Sequence, residues 1–239
     1  MKYVFVLLCC LPMLAHAAID ANALLAEADH ARGGNLPGVA WLISIDSHDG
    51  DGDTSRVMQA IAGDGNSRIE YTEPAKMRGQ RIVMQGRNMW FVRPGLQRPV
   101  PLSPRQRLIG NAANGDVAAT HYAADYEAEI VGTENVDGEA CTVLALKAKA
   151  RNTTYDRIRY WISEKGKLGI KAEFYTVSGK LFKSARFEYA NEIVYEGHRI
   201  PFVSRMLISD AINAGNVTTL RYSSVRVKRP DPSLFELNQ

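Results

Sequence analysis

A chain of 239 residues, 46% hydrophobic and 23% charged, is long enough to bury a sizeable core in one large β domain or two small ones. Its formal net charge of +3 is spread through the sequence. That balance excludes nucleic acid as the main partner.

The first segment, "MKYVFVLLCCLPMLAHAAID", carries one Lys, an apolar run and Ala15-His16-Ala17, the small-x-small spacing of a signal-peptidase site. A membrane span needs about 20 apolar residues, and this run is shorter. Residues 1–17 therefore read as a leader removed on export. Cys9 and Cys10 raise lipid anchoring as an alternative, but Leu7 and Leu8 stand where a lipidation signal wants small residues. Cleavage leaves Cys141 alone, so no internal disulfide is expected. Its setting in "ACTVLALKAKA" reads as a small buried hydrophobe rather than a nucleophile.

"DANALLAEADHARGG" predicts a short amphipathic helix, capped by Asp20, with Ala21, Leu24, Leu25 and Ala28 on one face. From Val39 the period becomes two. "VAWLISIDS", "TSRVMQAIAG", "SRIEYTE", "QRIVMQG" and "MWFVR" read as strands, separated by turns rich in Gly, Asp and Asn. Pro94, Pro99, Pro101 and Pro104 then forbid a central strand. Short helices are expected at 104–111 and 117–125, in an insertion spanning about 94–125. Strands resume at "YEAEIVGTE" and continue through "EACTVLALKAK" to "VTTLRYSSVRVKRP". Their short turns predict consecutive antiparallel neighbours. No repeat or shift in composition divides residues 18–239, which read as one domain.

In "YDRIRYWIS" one face takes Ile158, Tyr160 and Ile162, and the other Arg157, Arg159 and Trp161. The next two strands alternate likewise, with Phe174 and Phe187 on the apolar side. An apolar sheet face needs cover. Only the first helix and the Pro- and Ala-rich insertion are available. The fold class that follows is mainly β: a long antiparallel sheet curled into an incomplete barrel under two or three short helices, with room for an apolar ligand.

Chemistry is sparse. Asp49, Asp51 and Asp53 start like a calcium loop, but Thr54 and Ala60 stand where its glycine and bidentate glutamate belong. The histidines at 30, 48, 121 and 198 lack zinc-like spacing. No nucleophile elbow or phosphate loop is present, so no catalytic residue, metal or cofactor is assigned. Arg93, Arg98, Arg105 and Arg107 form the one basic cluster, either a solvated loop or a contact for anionic headgroups or an acidic partner.

"MWFVRPGLQRPVPLSPRQRLIGNAANGDVA", "YEAEIVGTENVDGEACTVLALKAK", "TYDRIRYWIS…KAEFYTVSGKLFKSARFEY" and "TTLRYSSVRVKRPDPSLFEL" together resemble the bacterial outer-membrane lipoprotein-sorting proteins, the LolA-like group. The resemblance implies a periplasmic, non-catalytic half-barrel with a helical lid. It would shield acyl chains of lipids or lipidated proteins in transit between envelope membranes, with a membrane-embedded lipid exporter of the resistance-nodulation-division type as a possible partner. The alternative it leaves is an interaction or sensor domain that binds a protein partner in envelope regulation. Where relatives carry an aromatic and acidic stretch, this chain has the plainer "NAANGDVAATHYAADY". The inward apolar positions nominated as lining are Trp41, Ile43, Met89, Phe91, Ile158, Tyr160, Ile162, Phe174 and Phe187. Each also suits ordinary core, the commoner fate of buried aromatic and aliphatic residues.

Overall fold

The structure, a computed structural model, describes residues 20–50, 52–118 and 121–237. The leader reading at 1–17 and Asp51 lie outside the described residues.

Helix α1 (Ala21–His30) starts where its cap predicts. Asp20 keeps an extended backbone and its carboxylate accepts from the Asn22 amide at 2.9 Å, meeting one of the donors a helix start leaves open. Leu24, Leu25 and Ala28 are buried beneath the helix. Each leucine so covered contributes about 1.5–3 kcal/mol.

Five strands follow as expected: β1 (Val39–Asp49), β2 (Gly52–Gly63), β3 (Asn66–Glu73), β4 (Arg81–Gln85) and β5 (Asn88–Val92). β6 (Val100–Leu102) is short and holds Pro101, which a sheet accepts at its edge because proline has no N–H to give the ladder. The helix expected at 104–111 does not form. In its place β7 (Arg107–Ile109) pairs with β8 (Ala112–Ala113) across Gly110-Asn111. Gly110 adopts φ +51°, a conformation that favours reversal of the chain over helix. The expected 117–125 helix becomes two short pieces, α2 (Asn114–Ala118) and α3 (Tyr122–Asp125).

The remaining strands are β9 (Tyr126–Val136), β10 (Glu139–Ala148), β11 (Arg157–Ser163), β12 (Gly169–Tyr175), β13 (Leu181–Glu188), β14 (Asn191–Tyr195), β15 (His198–Phe202), β16 (Arg205–Asp210) and β17 (Val217–Val227). Thirteen strands form one antiparallel sheet in the order β6-β5-β4-β3-β2-β1-β17-β16-β13-β12-β11-β10-β9. The end strands β6 and β9 do not pair with each other, so the sheet stays open. β14 and β15 form a separate ribbon, tied to the end of α1 by the Val203 amide on the Ala31 carbonyl at 2.8 Å.

Register sets the inner face. Ile43 lies between Met58 and Tyr222, Ile69 faces Ile82, Phe187 faces Met206, and Tyr160 lies between Leu144 and Ala172. These side chains join α1, Tyr122 and Phe202 in one buried cluster. Two smaller clusters sit apart from it. The C-terminal segment brings Phe235 against Val83 and Val92, with Gln85 Nε2 donating to the Phe235 carbonyl at 2.9 Å. Trp161, placed by alternation with the charged side, is buried with Val136, Cys141 and Val143. Its indole N–H donates to Glu134 at 2.8 Å, while the Lys171 ammonium stands 4.0 Å from the ring centre.

Candidate functional site

The short helices lie on the inner face, and small residues let the chain come close. A Cβ on Gly115 would stand 1.9 Å from Thr154 Oγ1, and one on Gly110 would stand 1.9 Å from Ser47 Oγ. Nothing larger than glycine fits at either point, so the 103–118 segment rests directly on the sheet wall at Ser47 and on the β10–β11 loop at Thr154.

Two groups of buried polar side chains hold these helices. In the first, Asp116 of α2 accepts from the Ala113 amide at 2.8 Å, the Tyr155 hydroxyl at 2.6 Å and the Lys183 ammonium at 3.1 Å. Lys183 also donates to the Asn111 carbonyl at 2.7 Å and stands 4.6 Å from the centre of the Tyr155 ring. Burial, reinforced by the charge of Asp116, pushes the Tyr155 phenol well above its ordinary range. In the second group Asp29, fully buried, accepts from the Ala123 amide at 2.7 Å with one carboxylate oxygen, and its other oxygen has no partner. Burial pushes this carboxyl up to about 7, against the pull of the Ala123 N–H and of Arg32. Arg32 is itself buried, with its guanidinium 4.3 Å above the Tyr122 ring and 5.5 Å from Phe187.

Beside the Asp116 group a cavity of about 700 Å³ opens to solvent. Its apolar wall is Tyr155, Phe182, Val177, Ala112 and Ala113, and its charged groups are Arg105, Arg107, Lys183, Asp156 and Asp210. Arg105 reaches Asp156 at 2.7 Å and the Thr153 carbonyl at 2.8 Å. This volume falls within the range of about 300–1,000 Å³ usual for small-molecule sites.

The nominated lining residues are placed differently. Trp41, Ile43, Met89, Ile158, Tyr160, Ile162, Phe174 and Phe187 are buried and packed as core, and Phe91 is half-buried. None of the nine borders the 700 Å³ cavity. Beneath α1 the hollow is occupied by Arg32, Tyr122 and the wall aromatics. Of the four arginines, Arg105 and Arg107 reach the cavity, while Arg93 and Arg98 do not. Sequence reasoning missed Asp116, Tyr155 and Lys183, because no local pattern joins positions so far apart in the chain.

The other motifs resolve simply. Burial pushes the Cys141 thiol up, and its sulfur donates to the Glu139 carbonyl at 3.3 Å. His48 pairs with Asp53 at 2.6 Å on an exposed hairpin. Among the described residues no three His, Cys, Asp or Glu side chains are grouped to hold a metal, and no helix is long and apolar enough to cross a membrane.

An open antiparallel sheet with short helices on its inner face defines a half-barrel class, and three solved structures share it. A LolA superfamily protein of Nitrosomonas europaea is 33% identical, with 92% of this chain and 98% of that one aligned at a TM-score of 0.81. A domain of an outer membrane lipoprotein-sorting protein from Vibrio parahaemolyticus aligns at 0.74 with 18% identity, over 90% of this chain and 96% of its own. A DUF1329 family protein from Desulfovibrio piger aligns at 0.72 with 20% identity, over 91% and 97%. At those identities the last two share the fold alone. A family model described as an uncharacterized protein matches residues 63–239. No curated protein matches the sequence. This chain belongs to the LolA superfamily.

Proposed function

We propose that this chain is a non-catalytic periplasmic carrier that shields acyl chains of lipids or lipidated proteins between envelope membranes. The observation that carries the reading is the open cavity against Tyr155 and Phe182, wedged between the sheet wall and the 103–118 segment. Membership of a superfamily that includes a lipoprotein-sorting domain supports it. An exporter as membrane partner rests on the resemblance alone. The physical demand is plain. Each buried methylene is worth about 0.8 kcal/mol, so a chain of about fifteen carbons needs roughly 12 kcal/mol of cover that must later be given up. The helices α2 and α3 are short, nine residues in all, and are held mainly by the Asp116 and Asp29 groups, so release is a matter of parting those few polar contacts. Displacing α3 would take Tyr122 off the Tyr160 ring and bare that ring to an acyl chain.

Protein purified without harsh detergent is expected to yield bound lipid on extraction and mass spectrometry, and to take up a fluorescent fatty acid at about 1:1. Protein that carries no lipid and takes up no probe would overturn the carrier reading.

One observation favours a second reading, docking of a protein partner. β9 is an open edge, exposed over most of its eleven residues, and it carries Glu127 and Glu129, with Glu134 already paired to Arg159, and no basic residue. Val131 on it is 49% exposed. Such an edge accepts a further strand. Two copies of β9 would set like charges against each other, so a basic extended segment fits better. Capture of one envelope protein bearing such a segment, lost in Val131→Lys with fatty-acid uptake intact, is the expected result. Equal capture by both proteins would remove this reading.

A further inference from the structure

The charges around the 700 Å³ cavity are not equally spent. Asp156 is held by Arg105, and Asp116, just behind the wall, by Lys183 and Tyr155. Asp210 turns one carboxylate oxygen to the Ile212 and Asn213 amides, at 2.7 and 2.8 Å. Among the cations, Lys183 is taken up by Asp116 and the Asn111 carbonyl, and Arg105 by Asp156 and the Thr153 carbonyl. Arg107 borders the same cavity, is exposed, and its guanidinium has no hydrogen-bond or ion-pair partner among the described residues. The mouth therefore holds one positive side chain without a partner among the described residues, Arg107, while Asp156 and Asp116 are paired to cations and Asp210 is turned to two backbone amides.

Opposite that charge stands apolar surface. The Tyr155 hydroxyl is turned away to Asp116, which leaves its ring as wall, and Phe182 lies beside it at a ring-centre distance of 6.1 Å. Val177, at the β12–β13 turn, is 70% exposed at the rim. A ligand matching both halves has an apolar tail and a negative head. Guanidinium binds carboxylate and phosphate oxygens through paired, charge-assisted hydrogen bonds.

We infer that this cavity takes the anionic head, carboxylate or phosphate, of an acyl amphiphile, with Arg107 as the residue that selects the charge. The inference rests on the carrier reading and narrows its cargo. The tail lies along Tyr155 and Phe182, and the head faces Arg107 at the solvent edge.

The test is displacement of a bound fluorescent fatty acid by dodecanoate, dodecyl phosphate and uncharged dodecyl maltoside. At least one anionic competitor is expected to act at a concentration about tenfold lower than the maltoside, as one charged hydrogen-bonded contact supplies. Whichever of the two acts at the lower concentration identifies the head. In Arg107→Gln that advantage falls below about threefold, while displacement by the maltoside stays as it was and the melting temperature holds, because the side chain supports nothing else. Equal displacement by charged and uncharged competitors, or an advantage that survives Arg107→Gln, overturns the inference and leaves the carrier reading standing. Failure of the chain to take up the probe at all overturns both.

Discussion

Asp116→Ala is expected to lower the free energy of unfolding by about 3–5 kcal/mol, the cost of removing one partner from a buried charge pair. The side chains of Asp116 and Lys183 are 1% and 6% exposed, so water cannot replace what is lost. The substitution takes the counter-charge from the Lys183 ammonium, leaving it only the Asn111 carbonyl, and strands the Tyr155 hydroxyl and the Ala113 amide. Each buried donor left without an acceptor carries its own desolvation cost of about 1–3 kcal/mol. Lys183→Met made alone should cost less, because Asp116 would keep its bonds to Tyr155 and Ala113. Combining the two changes should recover much of the loss, since no unpaired ammonium then stays buried. Urea denaturation of the parent, both single variants and the double variant closes the cycle. A loss below about 1 kcal/mol in Asp116→Ala would mean that these contacts do not hold the 103–118 segment to the wall.

Those contacts also show where sequence reading stops. Asp116, Tyr155 and Lys183 come from α2, the approach to β11, and β13, and nothing in their local patterns announces that they meet. By contrast α1 and β1 to β5 were legible nearly to the residue, because capping, alternation and turn chemistry are local. Alternation also assigned Ile158, Tyr160 and Ile162 to the inner face correctly. It misled at Trp161. That ring points outward and is nevertheless 1% exposed, because Val136 from β9 and the long side chains of Arg159 and Lys171 fold over it. A two-residue period reports which face a side chain takes, not whether a neighbouring strand covers it.

The hollow itself was legible only in part. Sheet length against scant helix predicted the open half-barrel. The occupant of its deep end was not foreseen, since nothing in "DHARGG" marks the Arg32 that follows the first helix for burial. Only the packing of α1 on the sheet drives it between Tyr122 and Phe187. The arginine cluster was visible, but its division was not. The reversal at Gly110-Asn111 sends Arg105 and Arg107 to the cavity, where a helix over 104–111 was expected.

Asp29→Asn is expected to stabilise the protein, and by more as pH rises. The Asp29 carboxyl is pushed from 3.8 to about 7 by burial. Between those values the folded chain keeps a proton that the unfolded chain has released. Stability therefore declines from about pH 4 to pH 7 and is level above that. The total decline is on the order of 4 kcal/mol. Asparagine carries no charge at any pH, can still accept from the Ala123 amide, and removes the decline. Other groups face the same seam. Arg32 favours the ionised carboxylate and Asp125 opposes it. Burial holds the His121 imidazole below 6.5, which adds a slope of the opposite sign as pH falls. Comparing variant and parent at each pH cancels that contribution. Thermal unfolding at pH 5 and pH 8 should show a small gain for Asp29→Asn at the lower value and a gain of several degrees at the higher one. Equal shifts at both would mean that Asp29 titrates as an ordinary carboxylate. A gain clearly larger at pH 8 than at pH 5 would show that keeping this one carboxyl buried between α1 and α3 is what costs the fold stability as pH rises.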